Sequence, residues 1–436
     1  MPAETHVVDA EVSGPSRMLR LVVIVATVGW EVVRTGPSVG VLRLTRGRPA
    51  ARARLYRAVV RLLQHLGPTF VKVGQIASTR RDTMPPELCD RMAQLHDRVT
   101  PMTWPQARAA LDRAVAARPE LAVAEIDETP VGSGSIACVH RARLADGRIV
   151  ALKLKRPDVD RRIRTDLSLI RGFVRLGERL PSMRGMPMAD LVGYVSRAVL
   201  GQLDFAREAT NLELLRSSVA ELPEIRVPVL YPDLSGPDCL VFEFVEGLDP
   251  ATPAGLSAAA RARLGAAVLA AAHRMMFVRG VVHCDLHPGN IYLTRDERVV
   301  ILDAGYCVRL PDRVRDLMGE FFARLAVGDG RRCGEIVLES AVVVAPHTDR
   351  EAFVADLAAL VVRSAGPGKD FVMSTFGNEV FALQQRHGIF AASDFAFPLM
   401  SLLVLEGTVR GMWPEMDFQR VGQGSPESAD AEVAPS

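Results

Sequence analysis

The stretch "VHCDLHPGNIYL" (282–293) crowds Asp285, Asn290 and two histidines around a Pro-Gly pair, and "VVILDAG" (299–305) follows with Asp303. Asp285 and Asn290 are five residues apart, Asn290 and Asp303 thirteen, and Gly305 lies two beyond. An aspartate can orient or deprotonate an attacking oxygen. An asparagine amide oxygen and a second carboxylate are hard donors that suit Mg²⁺ held against phosphates. His283 and His287 raise the alternative of zinc, but Pro288-Gly289 makes this a loop rather than the helix on which an i, i+4 zinc pair sits. The chemistry expected here is the movement or positioning of a phosphate.

Two further elements suit that chemistry. "VGSGSIACVH" (131–140) places Gly132, Ser133, Gly134 and Ser135 between β-type runs, where small residues let backbone N–H groups approach a phosphate; by itself it is also what a plain turn looks like. "VALKLKRP" (150–157) sets Lys153 among Ala151, Leu152 and Leu154, where a half-buried ammonium needs an anion. Lys155 is expected to face solvent as its alternating partner. Only four of the 53 basic residues are lysines (Lys72, Lys153, Lys155 and Lys369), so each is a candidate for a role arginine does not fill.

These residues need elements to carry them. From 51 to 120 the pattern is helical, with Leu55, Val59, Leu62, Leu63 and Leu66 at helical spacing. Residues 126–155 change to short β-type runs around the turn "ADGR", helices are expected over 160–220, and "LVFEFVEG" (240–247) reads as a strand. The remainder is mostly helical except for "NIYLT" and "VVILDAG" around "RDER". A small sheet with helices followed by a helical domain predicts an α+β protein of two lobes. The expected division is a tail over 1–16, a helical extension over 17–125, an N-lobe with inserted helices over 126–247, a helical C-lobe over 248–420 and a tail over 421–436, both tails being disordered by composition.

The chain has 436 residues, 48% of them apolar, enough for two or three cored domains. Its six cysteines lie far apart without CxxC pairs, as isolated thiols of a reducing compartment on the cytoplasmic side do. Net charge is only +2, yet no acidic residue occurs between Glu31 and Asp82, where eleven basic ones do. The apolar run "LVVIVATVGW" (21–30) just before is shorter than the ~20 residues that span a bilayer, and it lacks the flanks of a signal peptide. Such a run beside a basic stretch suits peripheral docking on an anionic membrane face; the plain alternative is a solvated helix packed on its own domain. No transmembrane helix and no nucleic-acid partner are expected.

The spacing of Asp285, Asn290 and Asp303 is also that of the catalytic and magnesium loops of protein kinases. From about 60 to 415 the chain resembles the UbiB/AarF (aarF-domain) atypical kinases of the protein-kinase-like superfamily. "LGPTFVKVGQIASTRRDTMPPEL" (66–88) is similar to that family's KxGQ signature, "HCDLHPGN" to its catalytic loop, "LDAG" to its DFG equivalent, "LVLEGTVR" (403–410) to its C-terminal segment and "QLDFAREATN" (202–211) to its ExD helix.

The resemblance implies a two-lobed kinase-like fold with an N-terminal KxGQ extension, ATP and Mg²⁺ as cofactors, and Asp285, Lys153 and Glu208 as the catalytic set, Glu208 pairing with Lys153. It assigns Asn290 and Asp303 to the metal. Gly132 to Ser135, Lys153, Glu243 and Val245 fall to the nucleotide, and Lys72, Gln75, Gln202 and Asp204 to a regulatory lid. Two departures stand out. Gln202 replaces the first Glu of ExD, so a Lys72 bridge must become a neutral hydrogen bond or move to Asp204. "GSGS" replaces an Ala-rich loop, which predicts a more pliable loop. No APE segment follows Asp303 at the usual distance, which favours ATPase or small-molecule phosphotransfer over protein phosphorylation. The implied service is isoprenoid quinone or other lipid metabolism, with a lipid or quinone precursor as partner; the oligomeric state is not implied. Alternatives are a small-molecule kinase of the aminoglycoside or choline type, against which the KxGQ stretch argues, and a nucleotide-binding scaffold without turnover.

Overall fold

The computed structural model describes residues 14–78, 80–81, 84–95, 100–178, 188–286, 289–365 and 371–413. His287, Pro288, Lys369, the segment 421–436 and most of 1–16 lie outside the described residues. The chain divides into two compact units, one of residues 1–148 and 152–204, the other of 149–151 and 205–436.

The first unit opens on two long helices, α1 (Gly14–Thr45) and α2 (Gly47–Leu66), followed by α3 (Pro68–Ala77), α4 (Pro86–Ala93) and α5 (Trp104–Ala117). Pro at the first turn of α3, α4 and α5 suits positions whose N–H has no helical acceptor. The strands β1 (Val123–Ile126), β2 (Gly132–Ser133) and β3 (Ala137–Leu144) come next; β3 pairs antiparallel with β1 (Ile126 opposite Ala142) and with β2 (Ser133 opposite Cys138). After β4 (Ile149–Lys155) the chain enters α6 (Val159–Gly177) and α7 (Met188–Gly201). Ile24, Leu66, Phe70 and Leu169 form one core cluster, joining α1 to α6 through the α2–α3 corner.

α1 is amphipathic with an unusual sign. Its inward stripe sets the polar Arg20, Thr27, Glu31, Thr35 and Ser38 beside the apolar Leu21 and Ile24, and Glu31 and Thr35 are buried. Arg61 of α2 bonds Glu31 at 2.5 Å, and the Thr35 hydroxyl donates to the same carboxylate. These bonds hold Glu31 below the usual carboxylate range against the opposing effect of its burial. The outward face carries Met18, Leu19, Val22, Val25, Trp30 and Val33, with Trp30 67% exposed and Val33 70%.

The second unit holds α8 (Phe205–Ser218), β5 (Ile225–Arg226), β6 (Cys239–Glu243), α9 (Ala258–His273), β7 (Val281–His283), β8 (Ile291–Leu293), β9 (Val299–Ile301) and β10 (Cys307–Arg309). Then come α10 (Asp312–Ala326), α11 (Gly330–Glu339), β11 (Ala341–Val344), α12 (Arg350–Ser364), α13 (Met373–His387), β12 (Ile389–Ala391) and α14 (Ser393–Met412). β9 lies between β5 and β8, and β7 pairs antiparallel with β10. Phe321, Phe353, Phe371, Phe376 and Phe381 are almost wholly buried and fill the helical core. Gly330 permits close packing there, since a Cβ on it would lie 2.6 Å from the Ala358 Cα.

By length and composition α14 could cross a membrane, which a search for uninterrupted apolar runs does not detect. Its apolar window is 72% buried within the protein, the surroundings of a core helix.

Candidate active site

In the second unit the hairpin β8–β9 explains the thirteen-residue spacing. Asn290 immediately precedes β8, Asp303 follows β9 by two residues, and Leu302 N–H donates to the Asn290 carbonyl at 3.0 Å, so the two motif loops leave the same end of one hairpin.

His283, at the end of β7, fastens them together. Its Nε2 lies 2.5 Å from the Asp303 carbonyl, and its Nδ1 accepts the Asp285 N–H at 3.2 Å. A ring that donates at Nε2 and accepts at Nδ1 is a neutral imidazole in one tautomer. Its commitment to two backbone groups in a strand is unlike that of a zinc ligand. The Asn290 Nδ2 donates to the Asp285 carbonyl at 2.9 Å, which turns the nitrogen end of the amide toward the loop. The Asp303 Oδ1 accepts the Gly305 N–H at 2.6 Å.

Gly305 gives the site close quarters, because a Cβ there would sit 3.0 Å from the Asp303 Oδ1 and 3.4 Å from the Glu208 Oε2, so either carboxylate would have to shift by a few tenths of an ångström. Behind the loop, the buried Thr408 hydroxyl of α14 donates to the Leu286 carbonyl at 3.0 Å. Burial pushes the Cys284 thiol up to about 12 and Cys307 well above its ordinary value, so neither offers a thiolate near neutral pH. After Gly305 only residues 306–311, half of them β10, precede α10, which leaves no length for a peptide-docking segment.

Glu208 is buried on α8. Its neighbours on that helix reach the segment after Asp303: the Arg207 Nη2 donates to the Cys307 carbonyl and the Asn211 Nδ2 to the Ala304 carbonyl, both at 3.1 Å. Glu243, at the end of β6, pairs with Arg226 of β5 and accepts the Val229 N–H at 3.2 Å. Its carboxylate therefore braces the strands. Val245 is buried.

In the first unit Lys153 is half-buried on β4. Lys155 is not solvent-facing: it is buried, with its Nζ 3.3 Å from the Asp160 Oδ2 of α6. Residues two apart on a strand share a face, so Lys155 follows Lys153 rather than opposing it.

The glycine-rich loop also departs from expectation. Arg156 donates from Nε to the Gly134 carbonyl at 2.8 Å and from Nη2 to the Ser133 hydroxyl and the Thr100 carbonyl, both at 2.9 Å, while Ser133 is paired in β2. One guanidinium thus ties the loop to the helical extension, which opposes the pliability that two glycines suggest. Arg156→Ala is expected to speed amide exchange at residues 133–136 at least tenfold, roughly what loss of 1–2 kcal/mol of charge-assisted hydrogen bonding gives; unchanged exchange would mean the strand pairing alone holds the loop.

The KxGQ residues are packed into the same unit. Gly74 of α3 allows close approach, since a Cβ would lie 2.8 Å from the Leu63 Cδ1 and 2.9 Å from the Leu95 Cδ1. The Gln75 Nε2 donates to the Leu95 carbonyl at 2.7 Å, tying α3 to the end of α4. The expected Lys72 bridge is absent: among the described residues Lys72 has no hydrogen bond or ion pair, the buried Gln202 Nε2 has no partner, and Asp204 is exposed. Gln202, a neutral amide where a glutamate would stand, lacks the charge that would draw an ammonium to a buried site.

Among the described residues no three His, Cys, Asp or Glu side chains gather into a metal cage. Mg²⁺ does not need one, because it is held by one or two protein oxygens together with phosphates and water, and Asp303 with Asn290 is a donor set of that kind. His283, Arg156, Arg207, Asn211 and Thr408 carry positioning contacts that sequence reading missed. For His283 a signal existed, since it sits two residues before Asp285; the others act across long sequence separations.

Residues 94–337 match the ABC1 atypical kinase-like domain. A probable protein kinase UbiB of Azotobacter vinelandii is 31% identical over 395 residues, covering 87% of this chain and 73% of the relative. One of Vibrio vulnificus is 30% identical, covering 82% and 67%, and one of Cronobacter sakazakii is 31% identical, covering 84% and 69%. A solved complex of Rv3197 with erythromycin from Mycobacterium tuberculosis has a TM-score of 0.55 at 19% identity, covering 80% of this chain and 90% of that one, so the two share a fold, which the domain match makes kinase-like. With a domain match over more than half its length and UbiB relatives along most of it, the chain belongs to the UbiB/ABC1 atypical kinase-like family.

Proposed function

We propose that this protein is an ATP- and Mg²⁺-dependent atypical kinase or ATPase working at an anionic membrane surface in the service of isoprenoid quinone or other lipid metabolism. The His283 ring carries the catalytic part of this reading, because one neutral imidazole bonded to the Asp285 N–H and the Asp303 carbonyl keeps a base and a metal-type carboxylate in fixed register. In this reading Asp285 orients the attacking O–H and takes its proton, Lys153 and the backbone of 132–135 bind phosphate, and Asp303 with the Asn290 amide oxygen would hold the metal. Bound Mg²⁺ supplies neutralisation of phosphate charge. The short run from Gly305 to α10 favours water or a small molecule as acceptor over a peptide.

The membrane part is supported by α1. A helix that turns polar residues inward and Leu19, Val22, Trp30 and Val33 outward lacks an apolar medium for that face in water, and the exposed Arg43, Arg46, Arg48, Arg52 and Arg57 stand next to it. Each basic residue near an anionic surface adds ~1 kcal/mol, screened by salt.

ATP hydrolysis by the full-length protein, with and without anionic liposomes and quinone-like phenols, tests both parts. Turnover is expected to rise with anionic vesicles at low salt and to lose that gain at high salt or in Val25→Asp/Val33→Asp. Absence of Mg²⁺-dependent turnover in every condition would remove the catalytic reading; turnover indifferent to vesicles, with no co-sedimentation, would remove the membrane reading alone.

A further inference from the structure

The segment after Asp303 is irregular until β10 begins at Cys307, yet Ala304 is fully buried. A buried carbonyl outside a ladder must find a donor or forfeit its hydration. α8 supplies it. Asn211 donates to the Ala304 carbonyl, and Arg207, one turn earlier on the same helix face, donates to the Cys307 carbonyl. Between them Glu208 brings its Oε2 within 3.4 Å of the place a Gly305 Cβ would occupy. Two hydrogen bonds from one helix face, with the Glu208 carboxylate close beside Gly305, therefore hold residues 304–307, the segment whose Gly305 N–H bonds the Asp303 carboxylate.

We infer that Asn211 and Arg207 are positioning residues that lock the metal loop to the helix bearing Glu208, so that Asp303 is presented in one conformation before nucleotide arrives. Asn211 is the more consequential of the two, because it satisfies a fully buried carbonyl, whereas Arg207 is largely exposed and reaches a residue already held in the β7–β10 pair. The inference deepens the proposed function and shares its assignment of Asp303 to the metal, but the locking of the loop is testable without metal.

Two readouts in the full-length protein separate these. In nucleotide-free protein, hydrogen exchange at the amides of 304–307 is expected to accelerate at least tenfold in Asn211→Asp, which keeps the shape of the side chain but replaces the donor by an acceptor facing a carbonyl. In a thermal-shift titration at fixed ATP, the Mg²⁺ concentration giving half of the metal-dependent stabilisation is expected to rise about tenfold, the scale of losing an outer partner of a metal ligand. Binding of a fluorescent adenine nucleotide in EDTA is expected to stay within about twofold. Arg207→Met, which keeps the aliphatic stem, serves as the milder variant if Asn211→Asp does not fold, with the same changes at smaller size. Exchange at 304–307 indistinguishable from wild type, or an equal loss of nucleotide affinity with and without metal, would overturn the inference. Wild-type protein without any metal-dependent stabilisation would instead remove the assignment of Asp303, leaving exchange to decide the locking.

Discussion

Asp303→Asn is expected to weaken Mg²⁺-dependent ATP binding by at least about 100-fold while leaving the nucleotide-free protein folded as before. The substitution separates charge from shape. The Asp303 Oδ1 accepts the Gly305 N–H, and an asparagine oxygen can accept the same bond, so the loop keeps its geometry. The Asp303 carbonyl still meets His283, and the Ala304 carbonyl still meets Asn211, because both contacts are to backbone. What disappears is the formal negative charge that the protein offers a hard cation, leaving an amide oxygen as its other proposed protein ligand beside phosphate and water. A metal contact of this kind is worth several kcal/mol, and about 3 kcal/mol is about 100-fold. Isothermal titration of ATP in Mg²⁺ and in EDTA, together with the melting temperature of the free protein, measures the separation. Equal Mg²⁺-ATP affinity in wild type and variant would take Asp303 out of the metal site, and a fall in the free protein's melting temperature would mean that the charge is structural.

What the sequence made legible was a set of short-range spacings. Asp285, Asn290 and Asp303 belong to loops joined by one short hairpin, so their separations survive as a pattern whatever the rest of the chain does. The glycine-rich tip, the β-type runs around it and the helical tract 51–120 follow from local propensity and periodicity in the same way.

The departures from expectation have more than one cause. Lys155 shares a face with Lys153, since residues two apart on a strand do not alternate, and its burial depends on Asp160 in the following helix. The stiffness of the GSGS loop depends on Arg156 and on Thr100, 56 residues before it. Asn211 and Arg207 act on carbonyls 93 and 100 residues away, and a backbone acceptor leaves no mark in a sequence. The inward polar stripe of α1 was hidden for another reason: the run 21–30 looks uniformly apolar, and only packing against α2 and α6 reveals that its few polar neighbours face the protein.

That stripe sets up the second large effect. Asp166→Ala is expected to destabilise the first unit by about 3 kcal/mol, at the lower end of the range for removing one partner of a buried pair because Arg20 is partly exposed. The Arg20 guanidinium donates from Nε to the Asp166 Oδ1 at 2.6 Å and from Nη2 to the Oδ2 at 3.1 Å, and it also reaches the Leu66 carbonyl at 2.6 Å. It lies 5.7 Å over the Phe70 ring, so one side chain of α1 meets α6, the end of α2 and the start of α3. The Asp166 carboxylate is 1% exposed, and deleting it strands a guanidinium in a site built for an ion pair. Arg20→Leu/Asp166→Leu, which removes both charges, is expected to cost far less, and chemical denaturation of the single and double variants measures the difference. Trypsin sharpens the test, since α1 and α2 are rich in arginine and loosening of α1 should bring cleavage between 34 and 61 under conditions where wild type resists. A cost for Asp166→Ala below about 1 kcal/mol, with no gain in cleavage, would mean that the Ile24, Leu66, Phe70 and Leu169 cluster holds the extension without the ion pair.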